Sequence, residues 1–157
     1  MGKVVTSWKE LVNDLAPLRK QGRIVFTNGC FDILHLGHVR YLQEAKAQGT
    51  VLVLGLNTDA SVQKLNGPSR PLQSENDRAE ILASLKAVDH TILFGEETPL
   101  ELIKEVKPNL LVKGGDWKPE QIIGSDYVAS IGGVTKSLMF KSGYSTSNLI
   151  KAVQGKK

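Results

Sequence analysis

The stretch Thr27–Leu42, with the sequence TNGCFDILHLGHVRYL, gives the strongest indication of the fold of this chain. It overlaps the end of the apolar run RIVFTN (Arg23–Asn28), which predicts a buried strand, and it passes through Gly29 into a helical pattern that ends at Gly49. The chain contains three histidines and one cysteine, and two of the histidines and the cysteine lie in this stretch. A strand that leads through a polar turn into a helix indicates one unit of a parallel α/β sheet.

The rest of the chain repeats this alternation of apolar runs and helical patterns. Ser7 is positioned to cap a first helix, so residues 1–22 are predicted to form an N-terminal helical segment, and residues 154–157 to form a frayed tail. Short β-rich runs occur at Arg23–Asn28, Thr50–Asn57, Asp89–Gly95, Pro108–Trp117 and Val134–Phe140. Helical patterns separate and follow these runs, with Ser74 positioned to cap a helix over Glu75–Leu85 and Ser145 to open the last helix. We therefore predict an α/β fold over residues 1–157: a single Rossmann-like domain with a five-stranded parallel sheet and helices on both faces.

The composition restricts the function classes. The chain has 157 residues and a formal net charge of +4, but its lysines and arginines are scattered, so it is not predicted to bind nucleic acid, and a small anionic substrate fits the charge better. A single cysteine rules out an internal disulfide and suggests a reducing compartment. No apolar run approaches the roughly 20 residues of a membrane span. The chain is expected to be cytoplasmic and to have no membrane partner.

Two interpretations of the stretch involve Cys30 directly. Cys30, Asp32, His35 and His38 are zinc-ligand types, although four ligands on one short loop make poor geometry for a closed site. Alternatively, a histidine could activate Cys30 as a nucleophile, but a cysteine that follows a strand is more often a small buried residue.

A third interpretation is a phosphate cradle, and we favour it. Gly29 lets the chain turn out of the strand, and the helix that begins near Leu36 offers free backbone N–H groups to a polyphosphate. His35 and His38, one turn apart, could both donate hydrogen bonds to it, and Gly37 leaves room for its approach. The alternative for each histidine alone is structural: a cap for His35 and a helix-face position for His38.

At this point the sequence resembles the cytidylyltransferase-like nucleotidyltransferases. GCFDILHLGH resembles their His-x-Gly-His signature, and GYSTSNLI (Gly143–Ile150) resembles their Ser/Thr cluster at the start of a late helix. The resemblance implies catalytic roles for His35, His38 and Lys113. It implies nucleotide binding by Asn28, Gly29, Cys30, Phe31, Gly37, His38, Ser145, Thr146 and Ser147.

Within this family, the chain looks like the adenylyltransferases that act on D-glycero-β-D-manno-heptose 1-phosphate. The resemblance includes LVKGGDW, where glycerol-3-phosphate cytidylyltransferases typically have Gly-Asp-Asp-Trp, and Tyr144, where those enzymes usually have Ile. Ser147 departs from the pattern, since a second Thr is common there, but a hydroxyl is kept. A polyol-phosphate cytidylyltransferase and a nucleotide-binding regulatory module stay as alternatives. The choice of ATP over CTP rests on the resemblance alone.

The remaining candidates concern the second substrate. Lys113 ends a buried strand, where a phosphate partner would explain its charge, although it could also turn to the surface. Arg78 could bind phosphate or pair with Glu75 or Glu80 on its own helix. Asn57 and Asp59 could bind the substrate or merely cap the next helix. Asp32 could orient a histidine or the sugar, and Trp117 could stack or pack. The substrate-binding candidates are Asp32, Asn57, Asp59, Arg70, Arg78, Gly114, Asp116 and Trp117.

The resemblance also implies partners. Mg²⁺ is expected with ATP, held largely by phosphates and water, and no protein side chain is assigned to it. A homodimer and a separate heptose-7-phosphate kinase in the pathway are further expectations.

Overall fold

Within the described residues, the sheet contains six parallel strands rather than the predicted five. The structure, a computed structural model, describes residues 2–139 and 143–155. The strand order is β1-β4-β3-β2-β5-β6. The strands are β1 (Lys3–Val5), β2 (Ile24–Gly29), β3 (Val51–Asn57), β4 (His90–Phe94), β5 (Leu110–Gly114) and β6 (Val134–Leu138).

The additional strand β1 lies at the edge of the sheet and pairs with β4 through Lys3–His90, Val4–Thr91 and Val5–Ile92. The prediction that residues 1–22 are a helical segment is therefore wrong at its start, although Ser7 does cap the first helix by accepting from the Glu10 amide. Three residues, of which only Val5 is buried, are too few to show strand periodicity.

The helices lie where the apolar periodicity placed them, with one addition. They are α1 (Trp8–Leu18), α2 (Leu36–Ala47), α3 (Asp59–Asn66), α4 (Glu75–Ala83), α5 (Leu100–Val106), α6 (Ser125–Ser130) and α7 (Thr146–Val153). Helix α3, capped by Thr58, is the addition, and a short 3₁₀ turn follows at Pro119–Gln121. Ser74 and Ser145 cap α4 and α7 as predicted, each accepting a backbone N–H from three residues further on.

Two apolar cores cover the two faces of the sheet. Alternate strand residues divide between them, so that Phe26 faces α1 and α5, whereas Val25 faces α2 and α4. All seven residues of β3 are buried, as expected for a central parallel strand covered on both sides. Within the part of the chain that the structure describes, no helix combines the length and apolar character needed to cross a bilayer.

The centre of the sheet opens at its carboxyl end. β2 pairs with β5 at Val25–Leu110 and Phe26–Leu111. Beyond these pairs β2 follows β3 as far as Gly29, while β5 follows β6 as far as Gly114. The chain order also reverses between β2 and β5, and in open α/β sheets ligands bind at such a reversal.

Candidate active site

A pocket of about 530 Å³ occupies this opening. The turn after β2, the end of β5, the loop before α4 and the start of α7 meet around it. It is lined by Asn28, Gly29, Cys30, Phe31, Asp32, His38, Tyr41, Asn66, Arg70, Lys113, Gly114, Thr146 and Ser147.

His35 and His38 cap helix α2 for each other. The His35 Nδ1 atom accepts from the His38 amide at 3.3 Å, and the His38 Nδ1 atom accepts from the His35 amide at 3.4 Å. The two rings stack with centroids 3.7 Å apart and an angle of 21° between their planes. This is a capping box built from histidines instead of the usual Ser/Thr and Glu pair.

The capping box fixes the protons on both rings. Because each Nδ1 accepts a hydrogen bond, each neutral ring carries its proton on Nε2. Burial, and secondarily the neighbouring His35, lowers the pKa of His38 to about 4, and burial also lowers the pKa of His35. Near neutral pH both histidines are therefore uncharged and each has an Nε2–H group to donate.

Phe31 holds His38 from the other side. Its ring meets the His38 ring edge-on, with centroids 5.0 Å apart. Phe31 has a φ of 46°, an uncommon left-handed conformation for a bulky residue. A Cβ at Gly29 would lie 2.7 Å from the Phe31 ring, so the glycine makes this placement of the ring possible.

Gly37 has no room for a side chain. A Cβ there would lie 2.9 Å from both the His35 ring and the Tyr144 Cβ atom. The absence of a side chain at Gly37 thus lets the segment before α7 pack against the start of α2, next to the paired histidines.

The start of α7 closes one side of the pocket. Ser145 is the N-cap and accepts from the Asn148 amide at 3.0 Å, while the Thr146 hydroxyl lies 3.4 Å from the Ile33 carbonyl. Thr146 and Ser147 line the pocket.

Phe140, the predicted end of strand β6, and the last two residues of the predicted tail, 156 and 157, lie outside the described residues.

Lys113 and Gly114, at the end of β5, also line the pocket. The Lys113 Nζ atom lies 4.3 Å from the centre of the Trp117 ring. Trp117 itself is 44% exposed, and Asp116 is exposed beside it. Lys113 thus lines the pocket, while Asp116 and Trp117 are exposed beside it and are not among its lining residues.

Asp32 anchors the loop between α3 and α4. Its buried carboxylate accepts from the amides of Leu72 and Gln73 at 2.8–3.0 Å and from Arg70 at 3.1 Å. Burial acts to raise the pKa of Asp32, but these hydrogen bonds outweigh it and the pKa is lowered. Neither of the predicted partners, a histidine or the sugar, is needed to explain Asp32. Both Asp32 and Arg70 line the pocket.

Arg78 has a structural setting instead of the predicted phosphate contact. Its side chain is fully buried and donates to the carbonyls of Cys30, Asn57 and Gln73, and it pairs with Asp59 at 2.7 Å. Glu75 and Glu80, the alternative partners, are replaced by Asp59. Arg78 thus joins the ends of β2 and β3 beneath the pocket.

Asn57 and Asp59 belong to the same scaffold. The Asn57 amide donates to the Ser61 hydroxyl at 2.8 Å, and Thr58, rather than either of them, caps helix α3. Neither of the two appears among the described pocket-lining residues.

The Cys30 thiol is half-buried at the pocket wall. Burial raises its pKa, so it is protonated near neutral pH and a poor nucleophile. The Asn66 amide donates to the sulfur at 3.8 Å. In the described ranges, no group of three or more His, Cys, Asp or Glu side chains could hold a metal ion.

Tyr41 and Asn66 line the pocket without having been predicted. The Tyr41 hydroxyl lies 2.7 Å from the Thr27 hydroxyl, and burial raises the pKa of Tyr41. In the sequence, Tyr41 is one apolar position of a helix and Asn66 one loop residue, so neither stood out. The fold alone brings them to the opening.

A parallel sheet with a pocket and a helix start at its reversal point is the arrangement in which open α/β proteins bind nucleotides. The sequence profile of the family described as Cytidylyltransferase-like matches residues 26–152. The chain belongs to this family, and it is a nucleotidyltransferase.

Close relatives are much longer proteins. Bifunctional protein HldE of Syntrophotalea carbinolica is 54% identical over 136 residues, which cover 86% of this chain and 28% of that protein. Bifunctional protein HldE of Aliarcobacter butzleri is 52% identical over 151 residues, which cover 96% and 31%. The chain therefore spans less than a third of the length of these curated relatives.

Two solved structures share the fold. The lipopolysaccharide core biosynthesis protein from Thermoplasma volcanium is 34% identical with a TM-score of 0.63, and the match covers 76% of this chain and 97% of that one. Pantoate-beta-alanine ligase from Francisella tularensis is 14% identical with a TM-score of 0.64, covering 98% and 77%, and this likeness concerns the fold alone.

Proposed function

We propose that this protein transfers AMP from ATP to D-glycero-β-D-manno-heptose 1-phosphate, forming ADP-heptose for the lipopolysaccharide core and releasing pyrophosphate. The observation that carries the proposal is the meeting of His38, Lys113 and the start of α7 around one pocket in a nucleotidyltransferase fold, with His35 stacked on His38. The acceptor is proposed from the identity with the HldE proteins and with a lipopolysaccharide core biosynthesis protein.

In the proposed reaction, a phosphate oxygen of the acceptor attacks the α-phosphorus of ATP. A new P–O bond forms, and the bond from the α-phosphorus to the bridging oxygen breaks, so that pyrophosphate leaves with the bonding electron pair. The attacking oxygen is already anionic, so no general base is required. Catalysis then depends on alignment and on stabilising the charge that develops on the transferred phosphoryl group.

The histidines would act as neutral donors. The Nε2–H groups of His35 and His38 would donate hydrogen bonds to oxygens of the triphosphate. These hydrogen bonds would strengthen as negative charge develops on the leaving pyrophosphate. Because the capping box fixes both tautomers, the donors are oriented before the substrate arrives.

Two further parts of the pocket lining would supply positive charge. Lys113 would bind a phosphate group directly, and the start of α7 would add its backbone N–H groups and the hydroxyls of Thr146 and Ser147. Ser145 can cap α7 through its oxygen and still donate its hydroxyl hydrogen.

Arg70 is the proposed contact for the acceptor phosphate. It lies on the loop that Asp32 anchors, and one guanidinium nitrogen is engaged by that carboxylate, which leaves further N–H groups for the pocket. Asp116 at the rim would bind sugar hydroxyls. Mg²⁺ would enter with ATP, held mainly by phosphate oxygens and water, and would neutralise part of the triphosphate charge.

The test is pyrophosphate release in the presence of Mg²⁺, with ATP and CTP each combined with heptose 1-phosphate and with glycerol 3-phosphate. We expect release with ATP and the heptose. Release with CTP and glycerol 3-phosphate alone would keep the reaction type and overturn the substrates. Silence of the folded protein in all four combinations would contradict the proposal.

A further inference from the structure

The ammonium of Lys113, a residue that lines the pocket, lies against an aromatic ring. Its Nζ atom lies 4.3 Å from the centre of the Trp117 ring, a distance at which the ammonium is attracted to the face of the indole. Among the described residues, the salt bridges involve other lysines and arginines, and the ring is the partner recorded for this ammonium.

The turn after β5 fixes the ring in this position. Gly115 has a φ of 119°, and a Cβ there would lie 2.9 Å from the Trp117 Nε1 atom, so the glycine allows the indole to fold back. The Trp117 amide donates to the Ser137 hydroxyl at 3.2 Å, and that hydroxyl donates to the Gly115 carbonyl. The Gly115 amide also donates to the Leu138 carbonyl at 2.8 Å, so strand β6 holds both ends of the turn.

A ring and a carboxylate have different effects on a lysine. A carboxylate would position the ammonium but would also cancel its charge towards an incoming phosphate. The indole has no net charge, so it restricts the four-carbon side chain and leaves the full positive charge for an anion. This arrangement suits a lysine that must be in place before a polyphosphate binds.

We propose that Trp117 is a positioning residue for Lys113, holding the ammonium over the pocket so that it meets the phosphates of the bound nucleotide. The inference rests on the proposed function for the identity of that anion. It differs from the stacking and packing roles that the sequence allowed, because Trp117 acts through Lys113 and has no direct effect of its own on the nucleotide.

A double-mutant cycle tests the proposal. Binding of Mg²⁺–ATP is measured by calorimetry, without acceptor, for the wild type, Trp117→Leu, Lys113→Met and the double variant. We expect Trp117→Leu to weaken binding by about three- to tenfold. In the Lys113→Met background the same change should have no further effect, because the ring then has no ammonium to hold.

Two further variants separate this role from packing. Trp117→Phe keeps a weaker aromatic face, so its loss should be smaller than that of Trp117→Leu. Trp8→Phe is the control: Trp8 lies on helix α1, where its indole N–H donates to the Leu93 carbonyl at 3.1 Å, and its replacement should leave ATP binding unchanged. Urea unfolding of each variant checks that the fold is kept.

Additive effects of the two substitutions would overturn the inference and show a direct contact of the indole with the ligand. An unchanged affinity in Trp117→Leu would also overturn it. Because the cycle uses no acceptor, it can succeed while the heptose assay fails, or fail while that assay succeeds. If Mg²⁺–ATP does not bind the wild type, the proposed function fails, and the same cycle titrated with pyrophosphate decides the role of Trp117.

Discussion

At the scale of single residues, the site depends on two histidines that each act twice. The same ring that accepts a helix amide through Nδ1 presents its Nε2–H group for donation. A substitution therefore removes a cap and a donor together, and the two losses must be separated experimentally.

We expect His38→Ala to lower kcat by about 100-fold or more, with a much smaller change in ATP affinity, because the lost donor acts mainly on the charge of the transition state. Steady-state rates and calorimetric ATP binding measure the two quantities.

The matched control is Ser74→Ala, which removes the cap of α4 outside the pocket. Both variants should lose about 1 kcal/mol of unfolding free energy, but Ser74→Ala should retain its turnover. Equal losses of rate and affinity in His38→Ala would refute the transition-state role.

At the scale of elements, two buried charged groups place the loops of the site. Asp32 anchors the loop before α4 by accepting hydrogen bonds from its backbone amides. Arg78 links the ends of β2 and β3 to the same loop by donating to the Gln73 carbonyl. Neither side chain reacts in the proposed chemistry, yet each holds backbone segments that border the pocket.

We expect Asp32→Asn to raise the KM for the acceptor severalfold more than the KM for ATP. The neutral amide loses the charge-assisted bonds to the Leu72 and Gln73 amides and to Arg70, which presents its guanidinium to the pocket. Hydrogen exchange at residues 72 and 73 should accelerate in the variant. A uniform fall in kcat with both KM values unchanged would contradict this role.

Arg78→Met should destabilise the fold by roughly 3 kcal/mol or more, because three carbonyls and Asp59 lose their donor in the interior. Urea unfolding measures the loss. Lys is the informative comparison, since it keeps the charge but cannot reach the same set of acceptors. A stability near that of the wild type in Arg78→Met would show that water replaces the guanidinium.

The elements show what the sequence can and cannot predict. The strands from β2 to β6 and the caps Ser7, Ser74 and Ser145 carry local signals in hydrophobic pattern and hydrogen-bonding chemistry, and they were predicted. Strand β1 has three residues and forms only because β4 offers it an edge.

The candidate site also has parts that the sequence predicts and parts that it does not. The pocket gathers predicted residues from four separate segments, among them His38, Lys113 and Thr146. The setting of Arg78 was not predictable, because its acceptors are backbone carbonyls that no residue type marks and that only the folded chain brings together. The functional roles of the gathered residues stay predictions.

At the scale of the whole molecule, all three histidines resist protonation. The pKa values of His35, His38 and His90 are lowered, in each case chiefly by burial. The unfolded chain takes up these protons near the ordinary value of about 6.5, whereas the folded state takes them up at lower pH. Between these values the unfolded state binds more protons, so stability is complete above about pH 6.5 and falls as the pH decreases.

Urea unfolding between pH 7.5 and pH 5 should therefore show a decreasing unfolding free energy. His90→Gln should flatten that slope in part, since it removes one of the three groups whose pKa is lowered on folding. His90 lies near Asp14, Asp89, Lys3 and Lys46, so salt should alter the slope as well. A stability that is constant or rises on acidification would contradict the expectation.

The short pairing between β2 and β5 has a mechanical consequence. Two residue pairs join a half-sheet of four strands to a half-sheet of two, and the pocket lies beyond that seam. His38 follows one half and Lys113 belongs to the other. A small change in twist between the halves alters the spacing of these side chains while the hydrogen-bonded register inside each half stays intact. The width of the pocket therefore changes with the twist between the two halves, while each half of the sheet keeps its own pairing.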